Sequence, residues 1–480
     1  MANHTLLITS AVLVAFAAGA AKPTARYTTY NEAAIIIQSL GSDVPPEVRS
    51  FDGPGAARGW DEWVRKQDAG IRARLIQGDE DSLVNMMLFG TSFTRRPRIT
   101  LETLAKVGQI AGQAGGSQSE EALQFIDALR ARAEDLVNSL VNPGSNERLV
   151  FARHLIESQG YKLTDPAGRS QAVQFLYENF SRILTEQTAY GKTLERARLL
   201  GSATQEFSAR STLFQTRGLS SDTSLLPDFA IDRTLEVMKE RKLLTEGSVS
   251  RVAIIGPGLD FTDKQDGYDF YPLQTIQPFA VIDSLLRFGL AKTSRLRVTT
   301  LDISERVNLH IERAVARARA GTPYSIQLPR DPSAGWKPEL VRYWAGFGEA
   351  IGRPGKPITV PVGLPQLRLR SVRVHASIVS LIAPEDLNIV LQRLDLPSDQ
   401  KFDLVIATNM FVYYTPFEQA LALANVNSML KDNGYLLSNN ALPELAATGM
   451  RSGGYNTVIY SDKPDDGDHV VWYQHTSGGR

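Results

Sequence analysis

The chain contains no cysteine. That removes disulfides, thiolate zinc sites, thiol nucleophiles and a lipid-modified N-terminal cysteine together. A surplus of either charge is missing too: 52 Lys and Arg face 52 Asp and Glu, for a net charge of +0. Such a balance gives no overall attraction for a phosphate backbone, so nucleic acid is not an expected partner. Histidine is scarce. The six (His4, His154, His310, His375, His469 and His475) form no i, i+4 pair and no H-E-x-x-H, so a zinc hydrolase lacks its ligand pattern. No G-x-S-x-G occurs, which removes the nucleophile turn of an α/β-hydrolase.

Residues 6–21 (LLITSAVLVAFAAGAA) form an apolar run that is short for a membrane span, which takes about 20 residues. Ala18 and Ala20 make an A-x-A-like cleavage pattern, so residues 1–22 read first as a secretory signal. Residues 2–5 carry no Lys or Arg, and the nearest positive side chains, Lys22 and Arg26, follow the run. That arrangement also suits a short membrane anchor with the rest of the chain in the cytoplasm. A helix packed on the body is the third reading. The first places the protein outside the cytoplasm, in an envelope or periplasm; the second gives it an N-terminal membrane contact.

A length of 480 residues allows two to three domains. Residues 23–224 are patterned as helices almost throughout. Leu123, Ile126, Leu129, Leu136 and Leu140 recur at helical spacing up to Asn142-Pro143-Gly144, and Val173, Leu176, Phe180 and Leu184 share a face after Asp165-Pro166. An all-α domain is expected there. Within it, Gly191-Lys192-Thr193 imitates the end of a P-loop, but Glu186 stands where the phosphate-cradling glycine belongs and no strand precedes it.

Over residues 225–480 the pattern becomes that of an α/β fold, with short apolar runs alternating with amphipathic helices. Strands are expected at Val252–Ile255, Arg297–Leu301, within Val372–Leu381, at Phe402–Ala407 and at Tyr435–Leu437. A terminal antiparallel pair is expected at Thr457–Tyr460 and Val470–Tyr473. Residues 322–370, rich in Pro and Gly, read as an insertion with one short helix between Glu339 and Ile351.

The informative residues sit at strand ends. Gly256-Pro257-Gly258 follows the first strand directly, where glycines let a turn approach a nucleotide-like ligand closely. Asp302 closes the second strand, where a carboxylate can accept two hydrogen bonds from ribose hydroxyls. A dinucleotide fingerprint needs a small residue three positions after Gly258, and Phe261 stands there, so hydride transfer with a nicotinamide cofactor fits poorly. Phe402-Asp-Leu-Val-Ile-Ala407 ends on Thr408-Asn409, and Met429-Leu-Lys-x-x-Gly434 leads into Tyr435-Leu-Leu437.

Taken in order, these motifs resemble the class I S-adenosylmethionine-dependent methyltransferases over about residues 225–480. The stretch Asn409–Tyr414 is locally similar to N-V-x-I-Y-F of the chemotaxis-receptor methyltransferases. The resemblance implies a Rossmann-like seven-stranded sheet with a reversed final hairpin, behind the helical domain. It implies S-adenosylmethionine as cofactor, bound by Gly256 and Gly258 on its methionine and ribose side and by Asp302 on the ribose hydroxyls. Asp386 would stand beside the adenine amine, and Asn409 where the fourth strand delivers groups to the transfer site. The implied activity is methyl transfer to an O or N acceptor, a small molecule or a protein. A non-catalytic envelope-associated binding protein keeping the same fold is the alternative.

Two positions depart from the family pattern. Ile254 replaces the acid usual two residues before the first glycine, and 44 residues separate Gly258 from Asp302. Within that gap Asp260, Phe261, Tyr268, Asp269 and Tyr271 form either a lid or substrate contact, or a structural insertion.

Overall fold

The protein is described by a computed structural model over residues 23–111, 119–199, 217–262, 266–463 and 466–475. A short strand, β1 (Ala25–Tyr27), leads into helices α1 (Tyr30–Leu40), α2 (Pro46–Arg49), α3 (Ala56–Phe89), α4 (Leu101–Ala111), α5 (Glu120–Val141), α6 (Glu147–Ser158) and α7 (Pro166–Leu199). Side-chain caps start several of them. Ser119 and Asn146 accept first-turn N–H groups of α5 and α6, and Thr29 with Glu32 forms a capping box on α1. Gly191-Lys192-Thr193 lies inside α7, with helix rather than a strand before it.

The second half begins with α8 (Leu225–Glu240), β2 (Arg251–Ile255), α9 (Gln277–Arg287), β3 (Arg297–Asp302) and α10 (Glu305–Arg319). Next come β4 (Tyr324–Arg330), α11 (Pro338–Gly346), β5 (Gly352–Pro354), β6 (Arg368–Val374), α12 (Ala376–Val379), β7 (Ile382–Asp386) and β8 (Gln392–Leu394). The chain closes with β9 (Phe402–Ala407), α13 (Pro416–Met429), β10 (Leu430–Ser438), β11 (Met450–Ile459) and β12 (Gly467–His475).

Seven strands form one sheet in the order β7-β3-β2-β9-β10-β12-β11. The pairs from β7 to β10 are parallel, and β12 runs antiparallel to both its neighbours. Both the seven strands and the reversed final hairpin match the sequence expectation. The third strand does not. Val372 and Val374 belong to β6, the middle strand of a separate β4-β6-β5 antiparallel sheet built by the insertion. The third strand of the main sheet is β7, Ile-Ala-Pro-Glu-Asp. It lies at the sheet edge, where a proline and a half-exposed surface are tolerated, so it carries no apolar run to mark it.

Alternate residues of the central strands enter two cores, one on each face of the sheet. Val252, Ile254, Leu404 and Ile406 pack with α8, α9 and α10, whereas Ala253, Ile255, Val405 and Ala407 pack with α13 and α1. Both cores extend into the helical half. Trp60, Trp63, Val64 and Ile71 of α3 join the second, and Leu83, Val84, Met86 and Met87 of the same helix join the first. With 34 residues α3 is about 50 Å long, enough to pass from one face of the sheet to the other. The helices thus share their core with the sheet, and β1 pairs with β8 from the far half. Trp60 stacks on Trp63 at 5.1 Å and Trp63 tilts against Phe417 of α13 at 5.8 Å, contacts worth about 0.5–1.5 kcal/mol each beyond burial.

Among the described residues no helix is long and apolar enough to cross a membrane. The candidate export or anchor segment, residues 1–22, lies outside the described residues.

Candidate functional site

The strand order reverses between β2 and β9, and ligands in open α/β sheets bind outside the carboxyl ends at such a switch point. Register brings those ends level: Ile255 pairs with Leu301 on one side and Ala407 on the other, and Ser438 with Ala407. A cleft of about 480 Å³ opens there. Gly256 and Gly258, Asp302, and Thr408-Asn409 line it from β2, β3 and β9 respectively.

Gly256 and Gly258 have φ of 64° and 63°, the left-handed region that glycine enters without steric cost. Space is short as well. A Cβ at Gly258 would lie 2.8 Å from the Ser221 carbonyl oxygen, and one at Gly256 would run into the Met410 side chain. Backbone contacts tie the turn in place, with the Gly256 N–H donating to the Leu301 carbonyl at 2.9 Å.

Asp302 is 8% exposed and accepts a 2.8 Å hydrogen bond from the Ser304 N–H. Burial pushes its carboxyl up to about 7, against the N–H of Ser304, the Arg306 guanidinium and the N–H of Gly258; nearby Asp386 adds to the upward push. A carboxylate in that state gains from further hydrogen-bond donors.

Asn409 is exposed and holds φ of 56°, a conformation in which Asn is enriched among non-glycine residues. A reciprocal pair fixes it: its N–H donates to Asn439 Oδ1 at 2.7 Å, and Asn439 Nδ2 donates to its Oδ1 at 2.7 Å. The ends of β9 and β10 are clamped together at the mouth of the cleft. Asp386 is placed differently. It pairs in register with Asp302, but its carboxylate is gripped by Arg72 of α3 at 2.8 and 3.2 Å and does not line the cleft.

Other walls come from positions without a local sequence signal. Leu75 of α3 lines the cleft, as do Leu219–Thr223, the loop that precedes α8. That loop runs alongside the glycine turn: Leu259 N–H donates to the Ser221 carbonyl at 2.8 Å and Thr223 N–H to that of Leu259 at 2.9 Å. Asn439, Asn440 and Asp468 complete the opposite wall. The polar stretch Ser220–Ser224 before an amphipathic helix signals a loop, yet nothing in it announces where the loop docks.

Between Gly258 and Asp302, Asp260 and Tyr271 line a separate small pocket together with Thr223 and Trp336. Phe261, Tyr268 and Asp269 are buried and line no part of this cleft, and Asp260 and Tyr271 are equally enclosed. Asp269 accepts the N–H groups and hydroxyls of Thr91 and Ser92 at 2.6–3.1 Å. Arg148 of α6 donates to the carbonyls of Asp260, Phe261 and Tyr271, stitching this segment to the helical half. Ile254, where the family usually carries an acid, is fully enclosed in the first core. Among the described residues no histidine lines the cleft and no group of three potential metal ligands occurs.

Six strands running one way, a reversed strand slotted in between β10 and β11, and a glycine turn and acid at the switch point agree with the family resemblance. The sheet is a Rossmann-like mixed α/β sheet. No protein-family model and no curated protein matches the chain. Among solved structures it is similar to the N-methyltransferase NodS from Bradyrhizobium japonicum WM9, at 12% identity over 52% of this chain and 97% of that one, TM-score 0.26. The glycopeptide N-methyltransferase MtfA matches at 10% identity over 52% and 96%, TM-score 0.26. A putative sarcosine dimethylglycine methyltransferase from Galdieria sulphuraria matches at 7% identity over 52% and 85%, TM-score 0.27.

Proposed function

We propose that the protein binds S-adenosylmethionine in this cleft and transfers its methyl group to an O or N acceptor. The observation that carries the reading is the convergence of Gly256, Gly258, Asp302 and Asn409 on a single cleft at the switch point of the sheet. Bound there, the cofactor supplies an electrophilic methyl on a sulfonium whose sulfur leaves as a neutral thioether.

What the chain supplies is position. The glycine turn admits the ligand to backbone N–H groups, and Asp302 accepts from its ribose hydroxyls. The Asn409–Asn439 pair fixes the rim where an acceptor would approach. Holding two reactants in line accounts for much of the rate in a displacement with so good a leaving group. Leu75 and Leu219–Thr223 exclude water from above, so the helical half, residues 23–224, acts in this reading as the cap that helps to select the acceptor.

Calorimetric titration of the full chain with S-adenosylmethionine and S-adenosylhomocysteine tests this, with Asp302→Ala and Gly258→Ala as controls. Micromolar binding to the parent, lost in both variants, is expected. A folded parent protein that binds neither compound sinks the proposal.

A further inference from the structure

The cleft walls differ in chemistry from end to end. Asp302 closes β3, and Asp468 stands near the start of β12, which enters the sheet from the same edge because it runs in reverse. Four strand spacings separate β3 from β12, so the two carboxylates stand roughly 19 Å apart across the sheet at 4.8 Å per strand. The Asp302 end, with Gly256 and Gly258, belongs to the cofactor in the reading above. The other end, walled by Asn409, Asn439, Asn440 and Asp468, is unassigned.

That end is built from hydrogen-bond acceptors. Asp468 is half-buried; it accepts from Asn439 Nδ2 at 3.3 Å and from the Tyr460 hydroxyl at 2.5 Å, both neutral donors that leave its charge uncompensated. Asn440 Oδ1 is buried without a hydrogen-bond partner. Across the whole lining Asp222, Asp302 and Asp468 contribute carboxylates, and among the described residues no Lys, Arg or His lines the cleft. A buried acceptor left unpaired costs about 1–3 kcal/mol, so this wall favours a ligand that brings N–H donors. At this end of the cleft a carboxylate or phosphate would instead face the Asp468 carboxylate, a like charge.

We infer that the Asp468 end of the cleft holds the methyl acceptor, and that this acceptor is an organic amine; the inference rests on the methyltransferase reading. Asp468 faces the nitrogen, and Asn440 Oδ1 takes one of its N–H groups. The amine sheds a proton to water and attacks as the neutral base. A new N–C bond then forms as the sulfonium C–S bond breaks with its electron pair remaining on sulfur. The product ammonium is the species whose charge Asp468 offsets, so this step needs no histidine or other strong base in the wall.

The test uses the full chain, with and without saturating S-adenosylhomocysteine, titrated calorimetrically with benzylamine, benzyl alcohol and benzoate. These three probes share a ring and differ in the group offered to the wall. Benzylamine is expected to bind at least tenfold more tightly than either of the others. Asp468→Asn should weaken it at least tenfold while S-adenosylhomocysteine affinity stays within twofold, which also shows that the variant is folded. Asn440→Ala should weaken benzylamine severalfold. Equal binding of the alcohol or benzoate overturns the inference, as does an Asp468→Asn variant that keeps its benzylamine affinity. Loss of S-adenosylhomocysteine binding alone, with the amine preference intact, sinks the cofactor reading instead.

Discussion

At the residue scale the candidate site turns on Asp302, a carboxyl that burial holds near neutrality. Only its ionised form accepts two hydroxyl hydrogen bonds, so ligand binding draws its pKa down and competes with the proton. The sign follows. Above about pH 7 the carboxylate is already formed and affinity for S-adenosylhomocysteine should be flat. Below it, affinity should fall by up to about tenfold per pH unit, the slope for one proton that must leave on binding. Calorimetry between pH 5.5 and 8.5 measures this, and Asp302→Asn should flatten the profile as well as weaken binding. A parent profile without a break near neutrality contradicts the role given to Asp302. This residue was legible from sequence because an apolar strand ending on a carboxylate is a local pattern. The same holds for Gly256, Gly258 and Asn409, each of which ends an apolar run. Asp468 was not legible, since its place depends on the register of a hairpin and on an amide from another strand.

At the element scale α3 is the helix that braces the cleft. Its middle turns place Leu75 in the wall, Arg72 on Asp386 and the Ile303 carbonyl, and Arg74 on the Tyr413 carbonyl at 3.1 Å. One helix therefore braces the ends of β3, β7 and β9 together. Arg72→Ala should lower stability by about 1 kcal/mol, a modest figure because the pair is partly exposed. It should weaken S-adenosylhomocysteine binding severalfold as the wall loosens. Asp386→Asn should leave that affinity within twofold, because the carboxylate serves Arg72; a loss of tenfold would return Asp386 to the cofactor. The partner of Asp386 lies 314 residues away in the chain, so no local pattern could reveal it. β7 escaped notice for a related reason. An edge strand with a proline and an exposed face lacks the apolar run that made β2 and β9 plain, while Val372 and Val374 lie in β6, which belongs to another sheet.

For the whole molecule, two cores that cross the boundary near residue 225 mean that neither half buries its own apolar surface. A chain beginning at Leu225 would lose Trp60, Trp63, Val64, Ile71, Leu83, Val84, Met86 and Met87 from those cores. Each fully buried large side chain contributes about 1.5–3 kcal/mol, and native stability is only about 5–15 kcal/mol. The truncated chain is expected to be insoluble or to lack a cooperative thermal transition in calorimetry. A soluble fragment with a sharp transition would show the sheet to be self-sufficient. Helical periodicity disclosed the helices of the first half from sequence. That they share their interior with the sheet was hidden, because an amphipathic stripe says which face is buried and not what covers it.

The bracing of α3 also decides how a ligand comes and goes. A helix anchored in both cores cannot swing aside without exposing both, which leaves the stretch Leu219–Thr223 as the wall that can part. Leu219 itself is buried in the second core, and the rest is held by backbone bonds, Leu259 to Ser221 and Thr223 to Leu259, and by the Ser82 hydroxyl donating to the Asp222 carboxylate at 2.7 Å. A ligand in the cleft is then expected to leave as the short bridge between Asp222 and Leu259 unzips. Turnover limited by that event would speed up when the bridge is weakened, even as affinity falls.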